Sequence, residues 1–517
     1  MAEPQGPIET DVAIVGWGPV GAVLAILLAQ QGHRVVVLER WLQPYPLPRA
    51  VHFDHEVGRI LQGCRIGADL RAASEAAEVY EWRNGAGTTL LRFGRIGAGT
   101  SGWPESSMFN QPTLEALLHR RAAELPTIEL RRGVEVTGLE QDATAAVVHG
   151  TDPQGAAVEV RARYVVGCDG ANSTVRALVD TPVHDLGFFY DWLIVDVVLD
   201  QPRVFDPLNL QVCDPARPTT AVSGGPGRRR WEFMRLPEEA VADVGTEARA
   251  WELLAPWAVT PANATLERHA VYTFNARFAE RWRTGRVLLA GDAAHQMPPF
   301  AGQGLCSGLR DVANLSWKVD HVLRGLAPEA LLDTYEQERL PDARAAIDLS
   351  MALGKVICVP DPAEAAARDA AMSASVGSTL AEAPEQPPLA AGLLHPAAPR
   401  AGHLSIQARV GSGEGGPALL DDVLPAGWHL VTVAPDAEAL DDDARSVLAG
   451  LGGSLAAIGD HPGAWPDVEG RYAAWFADHG CRWALQRPDR RLYGTAATPA
   501  EAGDLLRDLR TRLAAPG

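Results

Sequence analysis

Asp292 and the glycines that follow it are the residues of this chain best placed to do chemistry with a bound cofactor. Val287 to Ala290 predict a buried strand, and Asp292 lies at its carboxyl end, where open α/β sheets bind ligands. Gly302 and Gly304 let backbone approach a ligand closely, and a helix predicted to begin near Leu305 points its positive end at it. This arrangement suits a polyol chain beside a ring that gains negative charge, as reduced flavin does.

A second glycine-rich turn, near the N-terminus, is suited to the other end of such a cofactor. In DVAIVGWGPVGAVLAILLAQQGHRVVVLER, Gly16, Gly18 and Gly21 lie between an apolar strand and a helix, and the next strand ends at Glu39. Two glycines permit the turn and the approach of a pyrophosphate, the third permits helix packing, and the acid binds a ribose. Arg40 follows directly and is a further cofactor-binding candidate. The spacing predicts a dinucleotide-binding βαβ unit.

A third segment, YVVGCDGANSTVR, repeats the pattern of strand, turn and helix. Tyr164 to Cys168 predict a buried strand, Asp169 begins the turn, and Ser173 to Arg176 open a helix. Ser173 and Arg176 could equally be a helix cap and a surface charge. Val136, on the preceding strand-like run VEVTGLE, is an additional cofactor-binding candidate.

These three motifs, in this order across most of residues 11–320, resemble the group A flavin-dependent aromatic hydroxylases, the superfamily of p-hydroxybenzoate hydroxylase. Up to about Ala352 the chain is most similar to 3-(3-hydroxyphenyl)propionate hydroxylases, through segments such as CDPARP, RRWEFM and LLDTYEQER, and its C-terminal part resembles the phenol and polyketide hydroxylase branches. The resemblance implies non-covalent FAD, NADH or NADPH as co-substrate, and hydroxylation of a phenolic ring by O2 through a C4a-hydroperoxyflavin.

The resemblance also implies roles for individual residues. Arg49 and Gln111 correspond to residues that contact the flavin, and Asp169 to one near the FAD pyrophosphate and the path of the nicotinamide. The carbonyl of Pro299 corresponds to a group beside the reacting part of the flavin. Structural alternatives stay open: a loop charge for Arg49, a helix cap for Gln111 and the end of a loop for Pro299.

The sequence leaves several candidates for the groups that would handle the substrate. A base or hydrogen-bond relay that activates a phenol could include His52, Asp54, His55, His269 or Tyr272. An arginine on the pocket sheet would pair best with a substrate carboxylate, and the candidates, each of which could instead be structural, are Arg217, Arg230 and Arg277.

Two other function classes stay open. Baeyer–Villiger insertion, or hydroxylation of a bulky aromatic polyketide, would keep the flavin and change the product. A non-catalytic FAD-binding protein would keep the nucleotide glycines but need not keep Asp169 or the Gly302-Gln303-Gly304 turn, and both are present. Flavin halogenation is disfavoured because no WxWxIP-like segment occurs.

Composition favours a cytoplasmic enzyme. The net charge of −19 over 517 residues argues against nucleic acid or an anionic membrane as a partner. The uncharged run Val12 to Ala29 is explained by strand, turn and helix rather than by a membrane span, and the acidic start is no signal peptide. Six scattered cysteines suit reduced thiols, and the single cluster from His52 to His55 predicts no metal site. A homodimer is left open.

The motifs predict a multidomain α/β protein with a Rossmann-like FAD-binding domain. That domain takes residues 1–181 and 282–360, and an antiparallel substrate-binding sheet with the runs WLIVDVVLD, RRWEFMRL and ERHAVYTFNARF interrupts it at 182–281. Residues 361–397, rich in Ala and Pro, read as a linker. Residues 398–517 resemble a thioredoxin-like domain, but Cys481 has no partner cysteine, which favours a structural or oligomeric role over thiol exchange.

Overall fold

The structure is a computed structural model that describes residues 6–94, 97–374, 386–411 and 416–514. The middle of the predicted linker, residues 375–385, lies outside the described residues. The strands are β1 (Ile8–Val15), β2 (Val35–Glu39), β3 (His52–Asp54), β4 (Ser74–Ala76), β5 (Val79–Asn84), β6 (Thr89–Gly94), β7 (Ser106–Phe109), β8 (Ile128–Arg132), β9 (Glu135–Gln141), β10 (Ala146–Thr151), β11 (Ala157–Gly167), β12 (Val183–Leu199), β13 (Asn209–Cys213), β14 (Thr219–Ser223), β15 (Arg228–Met234), β16 (Ala264–Ala279), β17 (Arg283–Thr284), β18 (Val287–Leu289), β19 (His295–Gln296), β20 (Arg409–Gly411), β21 (Pro417–Leu419), β22 (His429–Thr432), β23 (Ser454–Ala457), β24 (Trp483–Gln486) and β25 (Leu492–Ala496).

The helices alternate with these strands. They are α1 (Pro19–Gln30), α2 (His55–Gly63), α3 (Gly67–Ala72), α4 (Gln111–Ala123), α5 (Thr174–Leu178), α6 (Val241–Val244), α7 (Glu247–Leu254), α8 (Gly304–Leu323), α9 (Asp333–Ile357), α10 (Pro362–Ser373), α11 (Leu420–Val423), α12 (Asp442–Gly450), α13 (Arg471–Asp478) and α14 (Pro499–Ala514). Among the described residues, no helix is both long enough and apolar enough to cross a membrane.

Parallel strands form the centre of the first sheet, in the order β8-β2-β1-β11-β18. Their Val- and Ile-rich segments are buried, as expected for parallel strands covered on both faces, and α1 packs between this sheet, α4 and α8. β9, β10 and β11 pair antiparallel as a meander that extends this sheet. Because the central strands are parallel, the turns after β1, β2, β11 and β18 meet at one edge of the sheet.

The second sheet has the order β19-β16-β12-β15-β14-β13-β5-β6 and contains the three predicted runs as β12, β15 and β16. Successive side chains of β15 point to opposite faces of the sheet. Trp231 and Phe233 pack with residues of α6 and α7 on the outer face, while Arg230, Glu232 and Met234 lie on the inner face. β5 and β6 join this sheet through parallel pairing of β5 with β13, a long-range contact that the alternation of VYEWRN does not specify.

The C-terminal residues form a separate four-stranded sheet in the order β23-β22-β24-β25. β22 and β23 are parallel, β24 is antiparallel to both of its neighbours, and α14 packs on β24 and β25. Local backbone features fix the starts of two helices. α12 begins after Asp441, whose side chain accepts a hydrogen bond from the Ala444 N–H, and α13 begins after Gly470, which has a positive φ of 65°.

Candidate active site

The turn between β1 and α1 leaves room for a ligand at one glycine only. A Cβ atom at Gly16 would lie 2.4 Å from the Cys168 carbonyl oxygen, and one at Gly21 would lie 2.1 Å from the Gly16 carbonyl oxygen. At Gly18, by contrast, a Cβ would meet no described atom within 4 Å. α1 also begins without a side-chain cap and without an acidic residue in its first turn. Its free N–H groups and the open space at Gly18 fit a pyrophosphate.

Glu39 lies at the end of β2, next to this turn. Its Oε2 accepts a hydrogen bond of 2.7 Å from the Trp17 N–H, and its Oε1 accepts one of 2.8 Å from the Trp41 N–H. These two bonds fix the carboxylate, and each oxygen keeps a lone pair for a ribose hydroxyl. Arg40 is exposed, with its guanidinium 5.1 Å from the Trp41 ring, and Val136 is a buried core residue of β9.

Asp169 and Ser173 organise the turn between β11 and α5. The Ser173 hydroxyl donates to Asp169 Oδ1 at 2.5 Å and accepts from the Arg176 N–H at 2.9 Å, which caps α5. The Arg176 guanidinium donates to the carbonyls of Ala171 and Ala293, each at 2.8 Å. Arg176 therefore joins this turn to the one that contains Asp292.

A buried carboxylate on α8 holds the turn after β18. Asp311 Oδ2 accepts hydrogen bonds from the Gly291 N–H at 3.1 Å and from His295 Nε2 at 2.7 Å, while Oδ1 accepts from Arg339 Nε at 3.0 Å. Burial by itself would raise the pKa of Asp311, but His295 and Arg339 lower it overall. Asp292 stands next to this braced turn with its side chain open to solvent.

The Asp292 carboxylate makes no hydrogen bond to any described residue. Surrounding protein nevertheless desolvates it and raises its pKa, against the opposing effects of His295 and Arg49. The carboxylate is thus reachable from solvent at the floor of a groove. An acceptor that is free in this way fits the hydroxyl groups of a polyol chain.

The segment from Pro299 to Gly304 completes the groove. Gly302 has a φ of +64°, donates its N–H to the Pro299 carbonyl at 2.7 Å, and accepts a hydrogen bond of 3.2 Å from His52 Nδ1. α8 then begins at Gly304, one residue before Leu305, without a side-chain cap or an acid in its first turn. A second helix N-terminus therefore faces the site, and it suits a ring that becomes negative.

The candidates for a base occupy different places. His52 Nδ1 donates a hydrogen bond to the Gly302 carbonyl. Burial lowers the pKa of His52, although the charge of Asp54 opposes this effect. Asp54 caps α2 by accepting a hydrogen bond from the Val57 N–H, and Arg310 also donates to it. Burial by itself would raise the pKa of Asp54, but Arg310 and neighbouring groups bring that pKa well below its usual range. Asp54 is thus tied into a buried ion pair.

His55 and His269 are directed elsewhere. His55 Nε2 lies 3.3 Å from Glu105, and His269 Nδ1 donates to the Gly245 carbonyl at 3.1 Å, on the outer face of the second sheet. Tyr272 faces inward. Its hydroxyl is 3.5 Å from the Tyr45 hydroxyl, and Arg49 lies 4.6 Å from the Tyr45 ring, so these three residues form one group.

The inner face of the second sheet meets the groove at two points. The Phe300 ring contacts Trp192 and Phe274, with centroid distances of 5.6 and 6.2 Å. Arg230 donates to the carbonyls of Arg49 and Pro48 at 2.6 and 3.0 Å. The predicted flavin segments therefore adjoin the aromatic sheet face, and we call the region between them the cleft.

The three predicted arginines all have carboxylate partners within the protein. Arg230 binds Asp196 with two hydrogen bonds of 2.7 and 3.0 Å. Arg217 binds Glu239 at 2.5 and 2.6 Å, and Arg277 binds Asp185 at 2.8 Å near the surface. Gln111 is similarly engaged, because it accepts from the Ala50 N–H and donates to Glu115, both at 2.7 Å.

Glu232 and Arg268 share the inner face and were not predicted as site residues. The alternation of RRRWEFM predicts that Glu232 shares a sheet face with Arg230. It does not predict which face of the sheet is turned inward. No cluster of three or more His, Cys, Asp or Glu side chains able to hold a metal was found in the described part of the chain.

Comparisons with known proteins agree with this geometry. Residues 9–350 match the family described as the FAD binding domain, and residues 402–512 match the HcaD C-terminal domain. The chain is 39% identical to a probable NADH-specific resorcinol 4-hydroxylase of Rhodococcus jostii, over 98% of this chain and 96% of the relative. It is 35% identical to a 3-(3-hydroxy-phenyl)propionate/3-hydroxycinnamic acid hydroxylase of a Mycobacterium species, over 94% and 89%.

A crystal structure of the flavin-dependent monooxygenase PieE with FAD and substrate shares the fold, with a TM-score of 0.82, 24% identity, and coverage of 98% of this chain and 99% of PieE. The predicted family and the predicted FAD cofactor are confirmed. The chain belongs to the FAD-binding-domain family of flavoprotein aromatic hydroxylases and is an enzyme that uses FAD.

Proposed function

We propose that this enzyme hydroxylates a small phenol with O2, using NADH as the reductant. The observation that carries the proposal is the contact of Phe300 with Trp192 and Phe274, which joins the segment beside the flavin groove to an aromatic sheet face. A flat ring bound on that face would lie next to the groove. The resorcinol hydroxylase relative, described as NADH-specific, supports both the phenol and the choice of nicotinamide.

The chain's own residues would hold the cofactor along the edge of the first sheet. Gly18 and the start of α1 would bind the pyrophosphate, Glu39 the ribose, and Asp292 the polyol chain. The N-terminus of α8 would face the ring. When bound and reduced by the nicotinamide, FAD supplies the electrons with which O2 gives one oxygen atom to the substrate ring and the other to water.

The protein must also keep water out and handle the phenolic proton. Phe300, Trp192 and Phe274 make one side of the cleft apolar. Tyr272 and Tyr45, whose hydroxyls lie 3.5 Å apart, would relay a proton from the substrate toward solvent, since Tyr45 is 36% exposed. His52 keeps Nε2 as an acceptor, because its Nδ1 hydrogen goes to the Gly302 carbonyl.

The wider organisation is part of the same proposal. We infer an FAD-binding domain of residues 1–181 and 282–360, a substrate-binding domain of 182–281 and a linker of 361–397. Residues 398–517 would form a thioredoxin-like domain, supported by a parallel β22-β23 pair next to the antiparallel pair β24-β25. Six buried cysteines without disulfides suit the cytoplasm. A homodimer stays a prediction, which light scattering of the purified enzyme would test.

The proposal is tested by anaerobic stopped flow followed by turnover in ¹⁸O2. Flavin reduction by NADH should be slow alone and much faster with the correct phenol, since binding of the ring favours the reducible state. Small phenols, hydroxyphenylpropionate and fused-ring polyketides are compared, each with NADH and NADPH. One labelled oxygen atom should enter the accelerating ring. A ring that accelerates reduction but gains no oxygen would be an effector, and absence of label in every product would refute the hydroxylase function.

A further inference from the structure

Glu232 is a buried carboxylate that accepts no hydrogen bond from the residues that the structure describes, although it lies within ion-pair distance of Arg230. It lies on the inner face of the second sheet, opposite Ile194 of β12 and Thr220 of β14, and the residue is 9% exposed. Its oxygens make no hydrogen bond with the described part of the chain, and the nearest cation, Arg230, is 3.7 Å away. Buried polar groups almost always have partners, so an unsatisfied carboxylate inside a cleft indicates a ligand.

Other groups engage the two cations nearest Glu232, although Arg268 Nε has no hydrogen-bond partner in the described residues. Arg230 is bound by both oxygens of Asp196 and by the carbonyls of Pro48 and Arg49, and Arg268 also donates to the Pro48 carbonyl. Two arginines face two carboxylates here, Asp196 and Glu232, so this part of the cleft is electrically balanced without a substrate. A carboxylate on the substrate would add a third negative charge beside Asp196 and Glu232, and these two carboxylates would repel it.

The groups around Glu232 suit an uncharged aromatic ring with hydroxyls. Trp82, Trp192 and Met234 belong to the same apolar cluster as the partly buried Tyr80. Tyr80 lies on β5 of the same sheet; burial raises the pKa of its hydroxyl, and Glu232 adds to that effect. The Tyr80 hydroxyl, too, forms no hydrogen bond to the residues that the structure describes, so it is a second polar group of this aromatic surface that a ligand could contact.

We propose that Glu232 accepts a hydrogen bond from a phenolic hydroxyl of the substrate, and that the enzyme therefore selects uncharged dihydroxybenzenes over phenols that carry a carboxylate. This inference rests on the proposed function and names the substrate class of the same site. Burial raises the pKa of Glu232, with Arg230 opposing and Asp196 adding to that effect, so a hydroxyl donor would also relieve the desolvation of the carboxylate.

The test compares ligands and variants in the FAD-loaded enzyme. Binding is measured from the change in flavin absorbance with 1,3-dihydroxybenzene, its monomethyl ether and 3-(3-hydroxyphenyl)propionate. Glu232→Gln keeps the shape but removes the charge, and it should weaken binding of 1,3-dihydroxybenzene roughly tenfold to a hundredfold, the effect of a charge-assisted hydrogen bond. Glu252→Gln, at an exposed carboxylate of α7 paired with Arg249, is the matched control and should change none of the three affinities.

Comparison with the methyl ether distinguishes loss of one hydrogen bond from a general disturbance of the folded site. In the native enzyme it should bind more weakly than the diol, because it has one hydroxyl fewer, and in Glu232→Gln the difference should shrink, as in a double-mutant cycle. The propionate should bind weakly to the native enzyme and no worse to Glu232→Gln. The inference is overturned if the variant weakens all three ligands equally, or if the native enzyme prefers the propionate. In both cases labelled oxygen would still enter a product, whereas failure of the proposed function would leave every product unlabelled.

Discussion

Two polar regions of this molecule differ in whether their carboxylates are hydrogen-bonded within the protein. We call the first the C-terminal seam: the contacts of residues 486–491 with α2, α8 and α9. There Arg487 donates to Glu338 at 2.6 Å and to Asp489 at 2.7 Å, and Lys318 lies 2.9 Å from Glu338. The second region is the cleft, where Asp292 and Glu232 have no hydrogen-bonding partner in the described chain. The seam carboxylates Glu338 and Asp489 are thus hydrogen-bonded within the protein, and the two cleft carboxylates are not.

This difference separates carboxylates that stabilise the fold from carboxylates that are available to bind ligands. Burial raises the pKa of Glu338, but Arg487 and Lys318 bring it far below its ordinary range, so the seam carboxylate stays ionised. In the cleft, desolvation by the surrounding protein raises the pKa of both Asp292 and Glu232, and no neighbour reverses the shift. We therefore expect seam variants to change stability and cleft variants to change binding.

The largest effect should come from breaking the seam. Arg487→Met would leave Glu338 and Asp489 as buried carboxylates without their main cation, which typically costs about 3–5 kcal/mol of folding free energy. Urea unfolding of the FAD-loaded enzyme measures it. Arg512→Met, which removes a surface pair with Asp508, should cost below about 0.5 kcal/mol. Equal midpoints for the two variants would show that the seam contributes little.

A smaller effect, on binding alone, should follow removal of the free carboxylate at the groove. Asp292→Ala should weaken FAD binding by about 1.5–3 kcal/mol, the loss of a charge-assisted hydrogen bond. Ultrafiltration and flavin fluorescence give the affinity, and unfolding of the FAD-free protein should be unchanged. Asp504→Ala, on the surface of α14, serves as the control. Native FAD affinity in the Asp292 variant would contradict the assignment of this carboxylate to the polyol chain.

One chain of contacts connects the seam to the flavin groove, so a seam variant can also affect FAD binding. Arg491 binds Glu56 at 2.7 Å, Glu56 accepts from Arg310 Nε at 2.6 Å, and Arg310 donates to the Gln303 side chain at 2.9 Å. Gln303 lies between the two glycines of the flavin-facing turn. The seam is thus connected to the position of that turn.

Arg491→Met should therefore weaken FAD binding modestly, roughly threefold to tenfold, by releasing Glu56 and allowing Arg310 and Gln303 to shift. FAD affinity is compared at matched folded fraction, and Arg491→Lys should recover part of it. If the Met variant loses stability while its folded form binds FAD normally, the seam acts only on the fold.

The sequence predicts features that depend on residues adjacent in the chain. It misses features that depend on contacts between residues far apart in the chain. Gly16, Gly18 and Asp292 follow from short motifs because strand, turn and helix are adjacent in sequence. Asp54 looked like a base beside two histidines, but its partner, Arg310, lies 256 residues away and makes it part of an ion pair. Glu232 becomes visible only when pairing of β12 with β15 shows which face is inside.

The smallest effect is expected at Cys481, in the C-terminal part that the seam attaches. The thiol is 7% exposed, and burial raises its pKa, so it is a poor nucleophile, and none of the six cysteines forms a disulfide. Cys481→Ser should leave the rate of NADH-dependent hydroxylation unchanged within error and cost about 1 kcal/mol of stability or less. Turnover with and without a reducing agent is the measurement. A folded, FAD-loaded variant that lost most of its activity, or a native enzyme that responded to oxidant at this thiol, would assign the C-terminal residues a redox role.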